Sequence, residues 1–409
     1  MSKLLLVFLL VFVLTLPVFA QSVDTAWVRR YNGPADTTDV GRAIVVDGSG
    51  NVYVTGGSYG SGTGWDYATI KYDSSGNQVW VQRYDGPGSY IDEAFAIVLD
   101  DPGNVYVTGT SYSNLTGSDY ATIKYDSSGN QLWVQRYSGP GIREDAAKAI
   151  ALDNSGNVYV TGYSVRNVLP YDEDYITIKY DSSGSQVWVQ KYGGPGIYID
   201  EALAIAADGS GNVYVTGVSY GSGTEFDYAT IKYDSSGSQV WVQRYNSPAS
   251  DTDAASAIAL DGSGNVYVTG ASSGSGTDVD YATIKYDSAG NQVWVQRYSG
   301  PENVVDYLPD LAVDGSGNVY VTGETYGSGT NWDYVTIKYV QLPFRRGDAN
   351  RDGFLNGSDV IFLINYLFKG GPHPDPIITG DPRCDGVVNV SDVIYLINYL
   401  FKGGPPPAC

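Results

Sequence analysis

The hydrophobic positions of this chain come in short alternating runs, and the runs recur. In one unit they read Ala96-Ile97-Val98-Leu99, Val105-Tyr106-Val107-Thr108, Ala121-Thr122-Ile123-Lys124-Tyr125 and Leu132-Trp133-Val134-Gln135. The third run places Ala, Ile and Tyr on one face and Thr and Lys on the other, the period-two pattern of a strand. Val, Ile, Tyr, Thr and Trp suit a pleated backbone. Marker tryptophans Trp27, Trp80, Trp133, Trp188, Trp241 and Trp294 are spaced 53, 53, 55, 53 and 53 residues apart. So regular a period predicts a supersecondary unit that stacks on its neighbours, because it cannot bury its own faces.

Between the runs sit Asp-x-Ser-Gly-Asn segments, such as Asp47-Gly48-Ser49-Gly50-Asn51 and Asp73-Ser74-Ser75-Gly76-Asn77. Gly and Asn tolerate positive φ and Asp bonds its own backbone, so these are tight hairpin turns. Four antiparallel strands per unit, six units in all, predict a six-bladed β-propeller. The chain opens on a lone Trp strand at residues 26–31, and the sixth unit stops after Thr336-Ile337-Lys338-Tyr339. The N-terminal strand is therefore expected to complete the last blade and close the ring, leaving no free edge at the seam. The GNVYVTG and DYATIKYD segments resemble the SBBP-type β-propeller repeat over roughly residues 26–340, although that family is named for seven blades and six are counted here.

Strand order puts the uniform turns on one face. On the other lie longer, variable loops carrying Tyr59, Trp65, Tyr90, Tyr112, Tyr198 and Tyr220 among other aromatics. A scaffold with one variable aromatic face reads as a binding platform for a glycan or a protein, or as rings that only pack between blades. One Asp recurs before each first strand, at Asp39, Asp92, Asp145, Asp200, Asp253 and Asp306. These six would ring a channel mouth as a cation or polar-ligand site, or cap loop amides as structural carboxylates.

The tail changes character. Asp348-x-Asn350-x-Asp352-Gly353 followed by Asp359, and Asp381 to Asp392 in a second copy, each precede a run with helical apolar spacing. Oxygen ligands at loop positions 1, 3 and 5, Gly at 6, a carbonyl at 7 and a carboxylate at 12 suit calcium, which takes six to eight oxygens. The duplicated loop–helix with Asp at position 12 resembles a type I dockerin. That resemblance implies first-loop ligands Asp348, Asn350, Asp352, the Phe354 carbonyl, Asn356 and Asp359. It implies Asp381, Asp385, the Val387 carbonyl, Asn389 and Asp392 in the second loop. There Arg383 holds position 3, so the second site should be weaker. The resemblance also implies a cohesin-type partner, docked through Gly357, Ser358, Ile364 and Asn365 and symmetrically Val390, Ser391, Ile397 and Asn398. The isoleucine-bearing helices are apolar enough to be an interface or the domain's own core. Calcium would supply folding energy to so small a domain.

Composition narrows the function. Net charge is −21, and residues 345–409 hold 6 Lys and Arg against 7 acidic residues, so nearly all the excess lies in the repeats. An acidic body argues against nucleic acid and anionic membranes. Lys3, the apolar residues 4–16 and Val18-x-Ala20 read as an export signal over residues 1–20. The alternative, a membrane anchor, needs an apolar run of about 20 residues. After it come the propeller at 21–340, a linker at 341–346 and the calcium domain at 347–409. Export permits a disulfide. With only Cys384 and Cys409 present, an intrachain bridge must join them; the alternative is a pair of free or intermolecular thiols. The sole histidine, His373, lies in the tail, which removes His-based catalysis from the ring. Near-identical blades give no asymmetry to separate an acid from a base. The expectation is an exported, non-catalytic binding or scaffolding protein attached through its tail; the rival is a dockerin-bearing glycoside hydrolase acting on polysaccharide.

Overall fold

The computed structural model describes residues 24–88, 90–166, 173–274, 278–300, 306–326, 331–341, 345–374 and 377–407. The expected signal at 1–20 and Cys409 lie outside the described residues. Each repeat is an antiparallel meander. In the first, β1 (Asp39–Val46), β2 (Val52–Gly60), β3 (Gly64–Tyr72) and β4 (Gln78–Tyr84) pair in chain order. β5 (Asp92–Leu99), β6 (Val105–Ser113), β7 (Gly117–Tyr125) and β8 (Gln131–Tyr137) do the same. Sheets at residues 145–192, 200–245 and 253–298 follow, and a sixth holds three strands, Tyr307–Val313, Val319–Tyr326 and Trp332–Tyr339. The chain divides into two compact units, Met1–Ser138 with Ile142–Ala147, and Gly139–Gly141 with Lys148–Cys409.

The turns form as their sequence dictates. Asp47 Oδ1 accepts the Ser49 and Asn51 amides, both at 2.9 Å, and its Oδ2 accepts Asn51 Nδ2 at 2.8 Å. Gly50 takes a φ of +79°, the left-handed value that closes the loop. The glycine of VTG has another purpose. In the register of β5 with β6, Ala94 faces Gly109 and Ala96 faces Thr108, so Phe95 is an extra, bulged residue. The bulged backbone crosses so close that a Cβ on Gly109 would lie 2.0 Å from the Glu93 carbonyl oxygen. Gly217 meets the Glu201 oxygen at the same distance in the fourth sheet.

Sheets are buried by their neighbours. In the first unit Tyr53, Tyr67 and Trp80 pack against Val105, Val107, Ala121, Ile123 and Tyr125 of the second sheet. Polar tips reach across as well: Tyr67 Oη donates to the Ala121 carbonyl at 3.1 Å, and Lys71 Nζ and Trp80 Nε1 both donate to the Ser127 carbonyl. The second unit repeats the arrangement with Tyr175 on Ala229, and Lys179 and Trp188 on Ser235. Loops stitch the sheets further. Residues before β5 reach back, so Ile91 forms a parallel bridge with Trp65 of β3.

The closed six-bladed ring expected from the sequence does not form. Among the described residues the six sheets are separate, the sixth holds three strands, and residues 26–31 form no strand. Their side chains dock instead on the first sheet, with Trp27 Nε1 on the Ser74 carbonyl at 3.3 Å and the indole 6.0 Å from the Tyr72 ring. These are the contacts Trp80 makes with Ser127 and Tyr125 one repeat later. The segment thus keeps the side-chain half of its role and loses the backbone half. Side-chain docking needs only the first sheet, which follows directly in sequence, whereas strand pairing needs an edge on a sheet formed about 300 residues later. The sixth sheet shows the consequence: Tyr334 is 85% exposed, whereas its counterpart Tyr67 is fully buried.

Two outcomes follow from this packing. Gly109→Ala should lower stability by about 1–3 kcal/mol through overpacking, while Gly48→Ala, which meets nothing within 4 Å, should leave the thermal midpoint nearly unchanged. The turn carboxylates set an acid limit. The Asn130 side chain and amide hold Asp126 below its ordinary value of 3.8, and Asn318 holds Asp314 at about 2. A depressed folded value means that stabilisation is present above the unfolded value and is lost as pH falls through the folded one. Denaturant midpoints should therefore fall between about pH 4 and 2, and Asp126→Asn should reduce that slope.

Candidate metal centre

The C-terminal domain is two copies of one loop–helix. α1 (Gly357–Lys369) and α2 (Val390–Lys402) are each 13 residues long, capped by Asn356 and Asn389 and ended by left-handed Gly370 and Gly403. The capping boxes use the last metal-loop position. Asp359 Oδ2 accepts the Asn356 amide at 2.9 Å, and Asp392 Oδ2 accepts the Asn389 amide at 2.8 Å. One residue type thus starts the helix and turns a carboxylate into the loop.

The loop backbone follows from its glycines. Gly353 and Gly386, at position 6, have φ of +84° and +81°. Arg351 and Cys384, at position 4, also take positive φ, +60° and +64°, which non-glycine residues rarely adopt. The chain therefore wraps inward. Asp348 accepts the Asp352 and Gly353 amides at 3.1 and 3.0 Å, and Asp381 accepts the Asp385 and Gly386 amides at 3.2 and 2.9 Å. Asp348, Asp359, Asp381 and Asp392 are buried, while Asp352 and Asp385 stand at the rim.

These residues fit a hard cation. In the second loop, one oxygen each from Asp381, Asp385 and Asp392 lies within 4.8 Å of the others. Asp392 Oδ1 is buried without a hydrogen-bond partner, an arrangement that costs free energy unless something completes it. Burial, with the nearby Asp348 and Asp352 charges, pushes the Asp359 carboxyl up despite the amides it accepts; burial with Asp381 and Asp385 does the same at Asp392. The two loops differ in the cations beside them. Arg383 pairs with Asp385 at 2.8 Å, and Arg346 pairs with Asp381 at 3.3 Å, so cations already engage two of the second loop's carboxylates. In the first loop Asn350 Nδ2 donates to Asp352 at 3.0 Å instead.

The expected docking residues separate into two groups. Ser358, Ser391 and Val390 are exposed and Gly357 is half-buried. Ile364 and Ile397 pack against the core of Ala349, Val360, Leu363, Val393 and Leu396, and the Asn365 and Asn398 carbonyls accept the amides that end each helix. Missing from the sequence reading are two exposed apolar stripes, Phe354, Ile361 and Phe368, and symmetrically Val387, Ile394 and Phe401. Their signal was available as apolar residues seven apart that the helical core does not need. Cys384 is not a free thiol; the Cys384–Cys409 pairing falls partly outside the described residues.

The six recurrent carboxylates act locally. Asp39, Asp92, Asp200, Asp253 and Asp306 each accept the amide six residues earlier, at 2.7–3.0 Å. Asp145 is buried in the same position of its repeat.

Two family models match the chain. A beta-propeller repeat matches residues 26–62, 132–167, 187–223 and 293–329, and a dockerin type I domain matches residues 346–401. The protein is thus a repeat array with an appended dockerin. More particularly, it carries SBBP beta-propeller repeats and a type I dockerin domain at its C-terminal side. Such dockerins bind calcium and dock to cohesins. An uncharacterized WD repeat-containing protein, L264, of Acanthamoeba polyphaga mimivirus is 25% identical over 259 residues, which span 51% of this chain and 18% of that protein. A protein of unknown function from Dyadobacter fermentans aligns at a TM-score of 0.42 and 11% identity, covering 73% of this chain and 94% of that one. A eukaryotic initiation factor aligns at 0.37 and 10% identity, covering 63% and 54%. No helix among the described residues is long and apolar enough to cross a membrane.

Replacing Arg383 by Asn should tighten calcium binding at the second loop about tenfold or more, because it removes an opposing charge and supplies the missing ligand. Calcium titration calorimetry on both proteins would show this; unchanged weak binding would mean that Arg383 does not limit the site.

Proposed function

We propose that this is an exported, non-catalytic binding or scaffolding protein. Its repeat array presents a loop face to a glycan or protein ligand, and its dockerin domain fixes it, in the presence of calcium, to a cohesin on a larger assembly. The observation that carries the docking half is the paired loop–helix with inward oxygen ligands, duplicated on one core. Duplication gives the partner two near-equivalent surfaces, so either copy can present Ser358 or Ser391. The binding half rests on aromatic pairs at the variable loops and the strand ends beside them, each with one exposed ring. Tyr59 and Trp65 lie 4.8 Å apart between ring centroids, Tyr90 and Tyr112 5.1 Å, and Tyr198 and Tyr220 4.7 Å. Tyr59, Tyr90 and Tyr198 are all exposed, which is where rings serve recognition and not packing.

The hydrolase alternative requires two carboxylates in different surroundings about 5–9 Å apart, with a sugar between them. One carboxylate cluster is particular to a single junction, Asp66, Asp85 and Asp92, but its oxygens lie within 4.8 Å of each other and two of the three residues are buried. A sugar does not fit between them.

The intact chain should be captured by an immobilised type I cohesin from a representative panel with calcium present and released by chelator. Because of the duplication, Ser358→Asp or Ser391→Asp alone should retain capture while the double variant loses it with calcium binding intact. Capture that persists in chelator, or no capture by any cohesin at saturating calcium, would rule the docking role out.

A further inference from the structure

The repeats are near-copies, so a residue that breaks the pattern is informative. The position after the tyrosine of the Trp strand is Asn32, Asp85, Ser138, Gly193, Asn246 or Ser299, acidic only at Asp85. Asp85 follows β4 and precedes β5, so it stands where the first two sheets meet. It joins two carboxylates that every repeat supplies. Asp66, in β3, and Asp92, at the start of β5, are both buried. One oxygen from each of Asp66, Asp85 and Asp92 lies within 4.8 Å of the other two.

Asp66 Oδ2 is committed, accepting Arg83 at 2.7 Å and Thr63 at 2.8 Å. Its Oδ1 is buried and has no hydrogen-bond partner. The same oxygen is orphaned at Asp119, Asp227 and Asp280, so the orphan alone marks nothing. What differs is what faces it. In the third sheet, where Gly193 replaces Asp85, a Cβ on that glycine would lie 2.4 Å from Asp174 Oδ1, the equivalent oxygen. Position 85 therefore adjoins the orphaned atom, in keeping with an Asp85 oxygen lying within 4.8 Å of one from Asp66.

Charge sharpens the case. Arg83 pairs with Asp66, and Arg136 pairs with Asp119 at 2.7 Å. Asp92 accepts the Gly86 and Tyr112 amides at 2.9 and 3.1 Å and feels the Arg136 charge, but among the described residues neither it nor Asp85 has a cation within salt-bridge distance. Two carboxylates at this junction are thus left without an ion pair, beside an unsatisfied buried oxygen. A third carboxylate in such a place is repulsive on its own account. A doubly charged, oxygen-seeking ion removes the repulsion and completes the orphan.

We propose that Asp66, Asp85 and Asp92 form a divalent cation site at the junction of the first two sheets, distinct from the dockerin loops and absent from the other junctions. Three carboxylates with water completing the shell suit calcium in a weak, structural role. Asp85 stands at the exposed mouth, so exchange is open.

The test counts ions on the full chain. Equilibrium dialysis against calcium through the millimolar range should show one more ion bound per chain in the unaltered protein than in Asp85→Ser, with the dockerin sites filling equally in both. Serine occupies this position in two other repeats, so the fold accepts it; matching melting curves in chelator check that. Asp85→Ala, which leaves no side-chain oxygen at the position, should lose the same ion. In the unaltered protein only, millimolar calcium should raise the thermal midpoint beyond the dockerin response. Equal ion counts for the unaltered protein and both variants would overturn the proposal, as would loss of the ion in Asp85→Ser but not in Asp85→Ala.

Discussion

The array depends on one interlocking contact between successive sheets. A tyrosine from the third strand donates its hydroxyl to a carbonyl of the next sheet, while Trp and Lys side chains donate to the carbonyl of its turn. The rings bury most of their surface, and their polar tips find acceptors that a purely apolar face would leave unsatisfied. Lysine contributes twice, since Lys71 Nζ also lies 5.0 Å from the centroid of the Tyr53 ring. Burial of one repeat is therefore a property of two, and a sheet without its neighbour is exposed. The sixth sheet, with Tyr334 uncovered, and β1, with Ile44 and Val46 uncovered, show what each face looks like when the contact is missing.

Strands and turns were legible in the sequence because each rests on local chemistry. Alternation gives the faces, and Asp-x-Ser-Gly-Asn gives its own hydrogen bonds. Closure was not legible, because it depends on whether residues 26–31 find an edge to pair with, and no residue in the segment encodes that. The VTG glycine looked like strand punctuation; only the register shows that it stands opposite a bulge. In the tail the two loop–helix copies could be read directly, since the spacing of Asp, Asn and Gly also sets the path of the loop backbone. Whether Ile364 and Ile397 face a partner or the core could not, because both sides of an apolar helix look alike until the second helix is in place.

Near-identity between repeats hides as much as it shows. It makes the Asp before each first strand look like a shared site, when five of the six accept an amide of their own loop. It also lets a single acidic substitution at position 85 pass unnoticed among five neutral residues. The charged residues that break the pattern stand out only when it is subtracted: Arg383 in the second dockerin loop, Asp85 in the repeats.

The dockerin core draws residues from both loops. Ala349 and Leu355 come from the first and Val388 from the second, and all three pack with the two helices in one cluster. Neither loop can tighten without adjusting the apolar contacts that the other leans on. Filling one site then lowers the ordering cost at the other, and by reciprocity the second ion must tighten the first by the same factor. The tail should respond to calcium as a single cooperative switch, with a threshold set jointly by a strong loop and a handicapped one.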